Sequence, residues 1–193
     1  VLSLATSAED IRRAKRENHP ALIFGFQDTA TLEGDLRHLD IFHRLGVRII
    51  QLVYQRTNLV GDGCGDKTRG GLTKFGVSVV EAMNRLGMLI DLSHGGKATT
   101  LEAMEISKDP VVFSHSNPLA LQNHVRNIDD EQMKAMAEKE GVMGIAAFPI
   151  LIRQRGATVE DFFDHVDYAV KVAGVDHVGI GLDLAWREKE EHA

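Results

Sequence analysis

The chain has 193 residues, 44% of them hydrophobic and 26% charged, with a formal net charge of −6. That is globular composition, which excludes a disordered or collagenous chain, and no apolar run reaches the roughly 18 residues of a membrane span. The mild acidic balance offers no basic stripe for a phosphate backbone, so no nucleic-acid partner is expected. The only cysteine, Cys64, has no partner for an internal disulfide, and a reducing, cytoplasmic setting is the expectation. The opening VLSLATSAEDI has neither the basic start nor the sustained apolar stretch of a signal peptide, so none is expected there.

One phrase recurs along the chain: an amphipathic polar segment, a Gly or Pro break, then a short apolar run. It reads AEDIRRAKRENHP then ALIFGFQD, LEGDLRHLDIFHRLG then VRIIQLVY, and FGVSVVEAMNRLG then MLIDLSH. It continues as ATTLEAMEISKDP then VVFSHS, DDEQMKAMAEKEG then VMGIAAFP, and VEDFFDHVDYAVKVAG then VDHVGIGLD. The polar segments space their apolar residues at three and four, as amphipathic helices do; Phe162, Val166, Ala169, Val170 and Ala173 fall on one face. Gly46, Gly87, Gly141 and Gly174 stand where helices stop, and Asp129 or Asp130 and Thr158 are candidate N-caps.

The apolar runs are continuous rather than alternating, the mark of strands buried on both faces of a parallel sheet. Six helix–strand units in series predict a parallel α/β architecture, with strands ending at Gln27, Tyr54, His94, His115, Phe148 and Asp183. Most of these ends are polar. In a closed (β/α)8 barrel all such ends converge on the face that carries the active site. An open nucleotide-binding sheet would show a Gly-rich turn after its first strand, and no GxGxxG or P-loop pattern occurs. The prediction is therefore a TIM-type barrel in which about six units are present. Residues 1–193 are expected to form one barrel domain, cut short at both ends, because such barrels take about 250 residues.

Two histidines close strands, His94 in LIDLSH and His115 in VVFSHS, and adjacent strand ends bring two imidazoles to one point. Asp183 closes the last strand and suits a ligand or a general acid/base. A single histidine of this kind is as readily a hydrogen-bonded core residue; two with an aspartate at equivalent positions are not. His38, His43, His165 and His177 lie on helices or before a strand and are assigned to surface or packing roles. Arg126, in the loop after His115, offers a planar fork for a carboxylate, or equally a partner for Asp129 or Asp130.

The stretch LGMLIDLSHGG…PVVFSHSNPLALQNHVRNIDDE strongly resembles the membrane (renal) dipeptidase family of zinc peptidases, within the amidohydrolase-like metal barrels. The spacing of 21 residues from His94 to His115 and of 11 from His115 to Arg126 matches the family pattern. The resemblance implies two zinc ions at the barrel mouth and cleavage of dipeptides with a free C-terminal carboxylate by a zinc-bound hydroxide. His94 and His115 match ligands of the second metal, Arg126 the residue that holds the substrate carboxylate, and Asp183 the residue that handles the leaving amine's proton. Tyr54 falls where better-known members carry a histidine that polarises the scissile carbonyl. A homodimer is implied by the resemblance alone.

Two departures stand out. The family's first strand carries a His-x-Asp pair; His38–Asp40 has the letters but lies inside a predicted helix before the wrong strand. The family's bridging Glu aligns with Gln27, a neutral residue with one hard oxygen, which bridges two dications poorly; its neighbour Asp28 is expected to face the other way. One zinc, or none, is the alternative to two. Three readings follow: a metallo-dipeptidase, a single-metal amidohydrolase acting on N-acyl amino acids or lactams, and a catalytically silent barrel with a binding or structural role.

Overall fold

The computed structural model describes residues 2–66 and 70–184; Val1 and the charged run from Arg187 to Ala193 lie outside them. The chain opens with a small parallel pair, β1 (Ser3–Leu4) against β2 (Ala21–Leu22), joined by helix α1 (Ala8–Arg16). Six further strands form the main sheet: β3 (Phe24–Phe26), β4 (Val47–Gln51), β5 (Leu89–Asp91), β6 (Val111–Ser116), β7 (Val142–Ile145) and β8 (Val178–Ile180). They stand side by side in chain order, and every neighbouring pair is parallel. The order decides between the two α/β designs. A doubly wound sheet reverses direction at a switch point, whereas a sheet that always adds its next strand on the same side is the wall of a barrel.

The connecting helices are α2 (Arg37–Arg44), α3 (Lys74–Leu86), α4 (Lys97–Ile106), α5 (Asp130–Glu138), the short α6 (Pro149–Ile152) and α7 (Val159–Ala173). Their apolar faces, including Leu39, Val79, Met83, Met104, Met136 and Ala169, meet Ile50, Ile90, Phe113 and Met143 of the strands in one continuous core. Each fully buried side chain of this size contributes about 1.5–3 kcal/mol. Among the described residues no helix is long and apolar enough to cross a membrane.

Local chemistry sets the helix ends. Thr73 and Thr158 cap α3 and α7 by accepting from Gly76 N and Asp161 N, and Thr158 forms a capping box with Asp161. Of the two candidate caps on α5 the structure selects Asp129, boxed with Gln132, while Asp130 is the first helical residue and accepts from Tyr168 Oη. Gly46, Gly87 and Gly174 have positive φ as expected, but Gly141 does not. There Glu140 takes the left-handed turn (φ 55°), and Gly141 is required for space: a Cβ would lie 2.5 Å from the Val111 carbonyl oxygen.

Two strand expectations and one helix face change. The single strand through ALIFGFQ divides at Ile23, its first half pairing with the unforeseen β1 and its second with β4. Phe148 does not end a strand; β7 stops at Ile145 and Phe148 is the N-cap of α6, where Pro149 has no N–H to continue a ladder and a φ suited to helix entry. In α7, Val172 rather than Val170 joins Phe162, Val166, Ala169 and Ala173 at the core. The His38–Asp40 triplet does lie within a helix, α2, with Leu39 buried between its two polar residues and His38 Nδ1 on the Leu32 carbonyl. His165 and His177 are packing residues, bonded to the carbonyls of Ile152 and Gly141.

Candidate functional site

Beyond β5 the chain runs through Leu92 and Ser93 to His94, whose φ of 67° is left-handed. Non-glycine residues in that region cost of order 1–3 kcal/mol and persist where the surroundings hold them. His115 lies within β6, at a point where the ladder to β7 shifts register between Phe113 and Ser116. Such an irregularity re-aims side chains. The two rings converge edge to face with Nε2 atoms 3.0 Å apart, and both residues are buried. Tyr54, three residues past β4 and half-exposed, stacks on the His94 ring at 4.3 Å between centroids.

Arg126 reaches the same place from the loop before α5. It is only 5% exposed, and its Nη2 donates to the His115 carbonyl at 3.0 Å. The sequence allowed Asp129 or Asp130 as its partner; Asp129 instead pairs with Lys97, and Arg126 is turned inward. Asp183 follows β8 with a φ of 58°, and its carboxylate is close enough to oppose the effect of burial on both His115 and Arg126. Gln27 borders a shallow opening with Phe26, Asp28, Thr31 and Tyr54, and its carbonyl accepts from Gln51 Nε2. Asp28 is a structural clamp, accepting from the backbone N–H of Ala30 and Tyr54.

Burial holds both imidazoles in their neutral form. It pushes His94 down to about 2, with the positive Arg126 and then His115 adding to it. His115 is also lowered, by burial first, with Asp91 and Asp183 opposing and Arg126 adding. Burial lowers the Arg126 guanidinium and the His165 imidazole as well. The sign for stability is the same for all three histidines. Below the ordinary value of 6.5 the unfolded chain takes up protons that the folded chain refuses, so stability is full above that pH and declines as pH falls. The metal-free protein is expected to lose up to about 1.4 kcal/mol per pH unit for each such ring. Urea midpoints measured from pH 7.5 to 5.0 check this; a flat profile would mean the rings are solvated.

Two features escaped the sequence reading. One is the Asp91–Ser114 pair behind His115, hidden because an aspartate in an apolar strand and a serine beside a histidine carry no spacing signal. The other is the loop from Gln55 to Asp66, which brings Cys64 beside Arg126 and bonds its N–H to the His94 carbonyl at 2.8 Å. Burial raises the Cys64 thiol, with Arg126 opposing. Gly63 makes this approach possible: a Cβ would lie 2.1–2.4 Å from Gln55 C, Gln55 O and Arg56 N, all backbone. Gly63→Ala is expected to cost about 1–3 kcal/mol, read as a lower urea midpoint at unchanged m. A change under 0.5 kcal/mol would show that the loop yields freely.

The pair suits a metal. Two imidazoles on a tetrahedral zinc at about 2.0–2.1 Å place their nitrogens roughly 3.3–3.4 Å apart; the rings here stand slightly closer, at 3.0 Å, and are neutral, as ligation requires. His94 Nδ1 is buried without a hydrogen-bond partner among the described residues. Among the described residues no third histidine, cysteine or carboxylate completes a ligand group around the pair. The described residues therefore fit one ion through two imidazoles and do not make up the four-ligand set that zinc takes.

A singly wound parallel wall with paired imidazoles, a buried guanidinium and an aspartate over its C-terminal strand ends defines a TIM-type barrel with a mouth-face site. Residues 1–187 match the family model for membrane dipeptidase, peptidase family M19, and the chain belongs to that family. Dipeptidase tcpJ of Claviceps purpurea is 36% identical over 187 residues, 95% of this chain and 44% of that protein. Dipeptidase verJ of Clonostachys rogersoniana is 35% identical over 188 residues, 95% and 48% of the two chains. Among solved structures, an amidohydrolase from Pseudomonas aeruginosa superposes with a TM-score of 0.92 at 35% identity, covering 97% of this chain and 58% of its own. A metallo peptidase from Rhodobacter sphaeroides, liganded with a phosphinate mimic of the dipeptide L-Ala-D-Ala, superposes at 0.90 with 28% identity, covering 95% and 55%. The chain spans about half the length of the curated relatives it matches.

Proposed function

We propose that this chain carries the second-metal and substrate-carboxylate part of a zinc dipeptidase. The observation that supports it most is the meeting of two buried, neutral imidazoles beside a buried guanidinium. His94 and His115 would hold the ion. When bound, zinc supplies Lewis acidity toward a carbonyl oxygen and acidifies water at neutral pH.

The chain's own groups do the rest. Arg126 grips the free carboxylate of the substrate, and its fixed position sets the scissile bond one residue away. Tyr54 donates its hydroxyl hydrogen to the carbonyl oxygen as negative charge grows there, which a phenol does without a change of charge. Asp183 takes a proton from the attacking water and returns it to the departing nitrogen. The small ligand of the Rhodobacter relative supports a dipeptide as substrate and includes a D-residue, so L,D as well as L,L dipeptides belong in the substrate class.

Gln27 favours a second reading, in which one ion rather than two serves an amidohydrolase acting on N-acyl amino acids. A hydrolysis panel decides between them: L,L and L,D dipeptides, including L-Ala-D-Ala, against N-acetyl amino acids, each before and after chelation and zinc return. Dipeptide turnover that vanishes with chelator and returns with zinc is expected. Turnover of N-acetyl amino acids alone would reverse the assignment, and zinc binding without any turnover would leave a silent barrel.

A further inference from the structure

Behind His115 lies a chain of hydrogen bonds whose hydrogens can be counted. Asp91, at the end of β5 and 4% exposed, accepts on Oδ1 from the backbone N–H groups of Ser93 and Ser114 at 3.0 and 3.1 Å. Its Oδ2 lies 2.5 Å from Ser114 Oγ, and Ser114 Oγ lies 2.7 Å from His115 Nδ1. A carboxylate holding two N–H donors has no hydrogen to give, so Ser114 spends its one hydroxyl hydrogen on Asp91. Toward His115, Ser114 can then only accept, which places the ring hydrogen on Nδ1. Ser93 adds a brace, its Oγ accepting from His115 N at 3.1 Å.

We infer that Asp91 and Ser114 are positioning residues for His115, holding its ring with hydrogen on Nδ1 and Nε2 bare toward the metal position. The same count accounts for the other ring. A bare His115 Nε2 at 3.0 Å accepts from His94 only if His94 carries its hydrogen on Nε2, and the Nδ1 of His94 is the nitrogen left without a partner among the described residues. His115 is thus preset for a metal ion, and His94 must move its hydrogen to Nδ1 before it can ligate. The register shift in β6 makes the device possible, because it lets the neighbouring Ser114 reach the ring of His115 instead of pointing away from it. Outer hydrogen bonds of this kind fix the orientation and raise the basicity of a ligating imidazole.

The inference deepens the zinc reading, and the test separates the two. Ring 15N NMR on the metal-free wild-type protein should show His115 with hydrogen on Nδ1. Zinc titration against a competing chelator should then show Ser114→Ala binding about 10–100-fold more weakly, with Ser114→Thr restoring affinity to within about threefold. Asp91→Asn can donate to Ser114 Oγ, turning the serine hydrogen onto His115 Nδ1; its ring should switch to the Nε2–H form and bind zinc at least as weakly as Ser114→Ala. Hydrogen on His115 Nε2 in the wild type, or zinc affinity within twofold of wild type in a folded Ser114→Ala, overturns the inference. The wild-type spectrum decides even where a variant fails to fold. Hydrogen on Nδ1 in a wild-type protein that takes up no zinc upholds the relay and overturns the metal reading instead.

Discussion

Replacing His94 or His115 with alanine is expected to abolish stoichiometric zinc binding and to lower kcat/KM for a dipeptide by roughly 10³-fold or more. The loss should exceed that from one oxyanion donor, about 10²–10³, because these two residues would hold the ion that supplies both Lewis acidity and acidified water. The two residues share one task, with Nε2 atoms 3.0 Å apart, so the double variant should be no worse than either single one. A stability readout separates lost chemistry from lost folding. Each alanine removes a buried ring that resists protonation, so the decline of stability below about pH 6.5 should become shallower even if the neutral-pH value drops. Retention of zinc and of activity within tenfold in both single variants would sink the metal assignment.

Arg126→Met should lower kcat/KM for dipeptides by about 2–5 kcal/mol, the usual cost of truncating one partner of a buried charged pair. That corresponds to a loss of roughly 30- to several-thousand-fold. The decisive comparison is with dipeptide amides, which have no carboxylate to grip: the variant should handle them about as well as the wild-type protein does. Arg126→Lys keeps the charge but loses the planar fork, and should fall between the two. Arg126 also braces the strand through the His115 carbonyl at 3.0 Å. An equal loss on acid and amide substrates would mean that this bracing, rather than the carboxylate, is what the residue provides.

Much of this was legible along the chain. Continuous apolar runs after amphipathic segments identify a parallel α/β wall, because strands covered on both faces have no polar side to show. Strand-end position singles out His94, His115 and Asp183, because a barrel delivers every strand end to one mouth, and the family resemblance adds Arg126. The split at Ile23 and the helix at Pro149 were less visible, since short apolar runs do not reveal which neighbour their backbone will bond.

The sequence by itself determined the architecture, the helix cap at Thr158, and which residue types gather at the mouth, because these depend on local pattern and on the order of elements. Only the tertiary structure decided the charge state and aim of those residues. Neutral imidazoles follow from burial among particular neighbours. The turning of Arg126 inward, the stacking of Tyr54 on His94 and the Asp91–Ser114 support behind His115 join groups far apart in the chain. Hydrogen-bond counts and desolvation are properties of an enclosed space, and that space exists only once β4, β5 and β6 lie side by side.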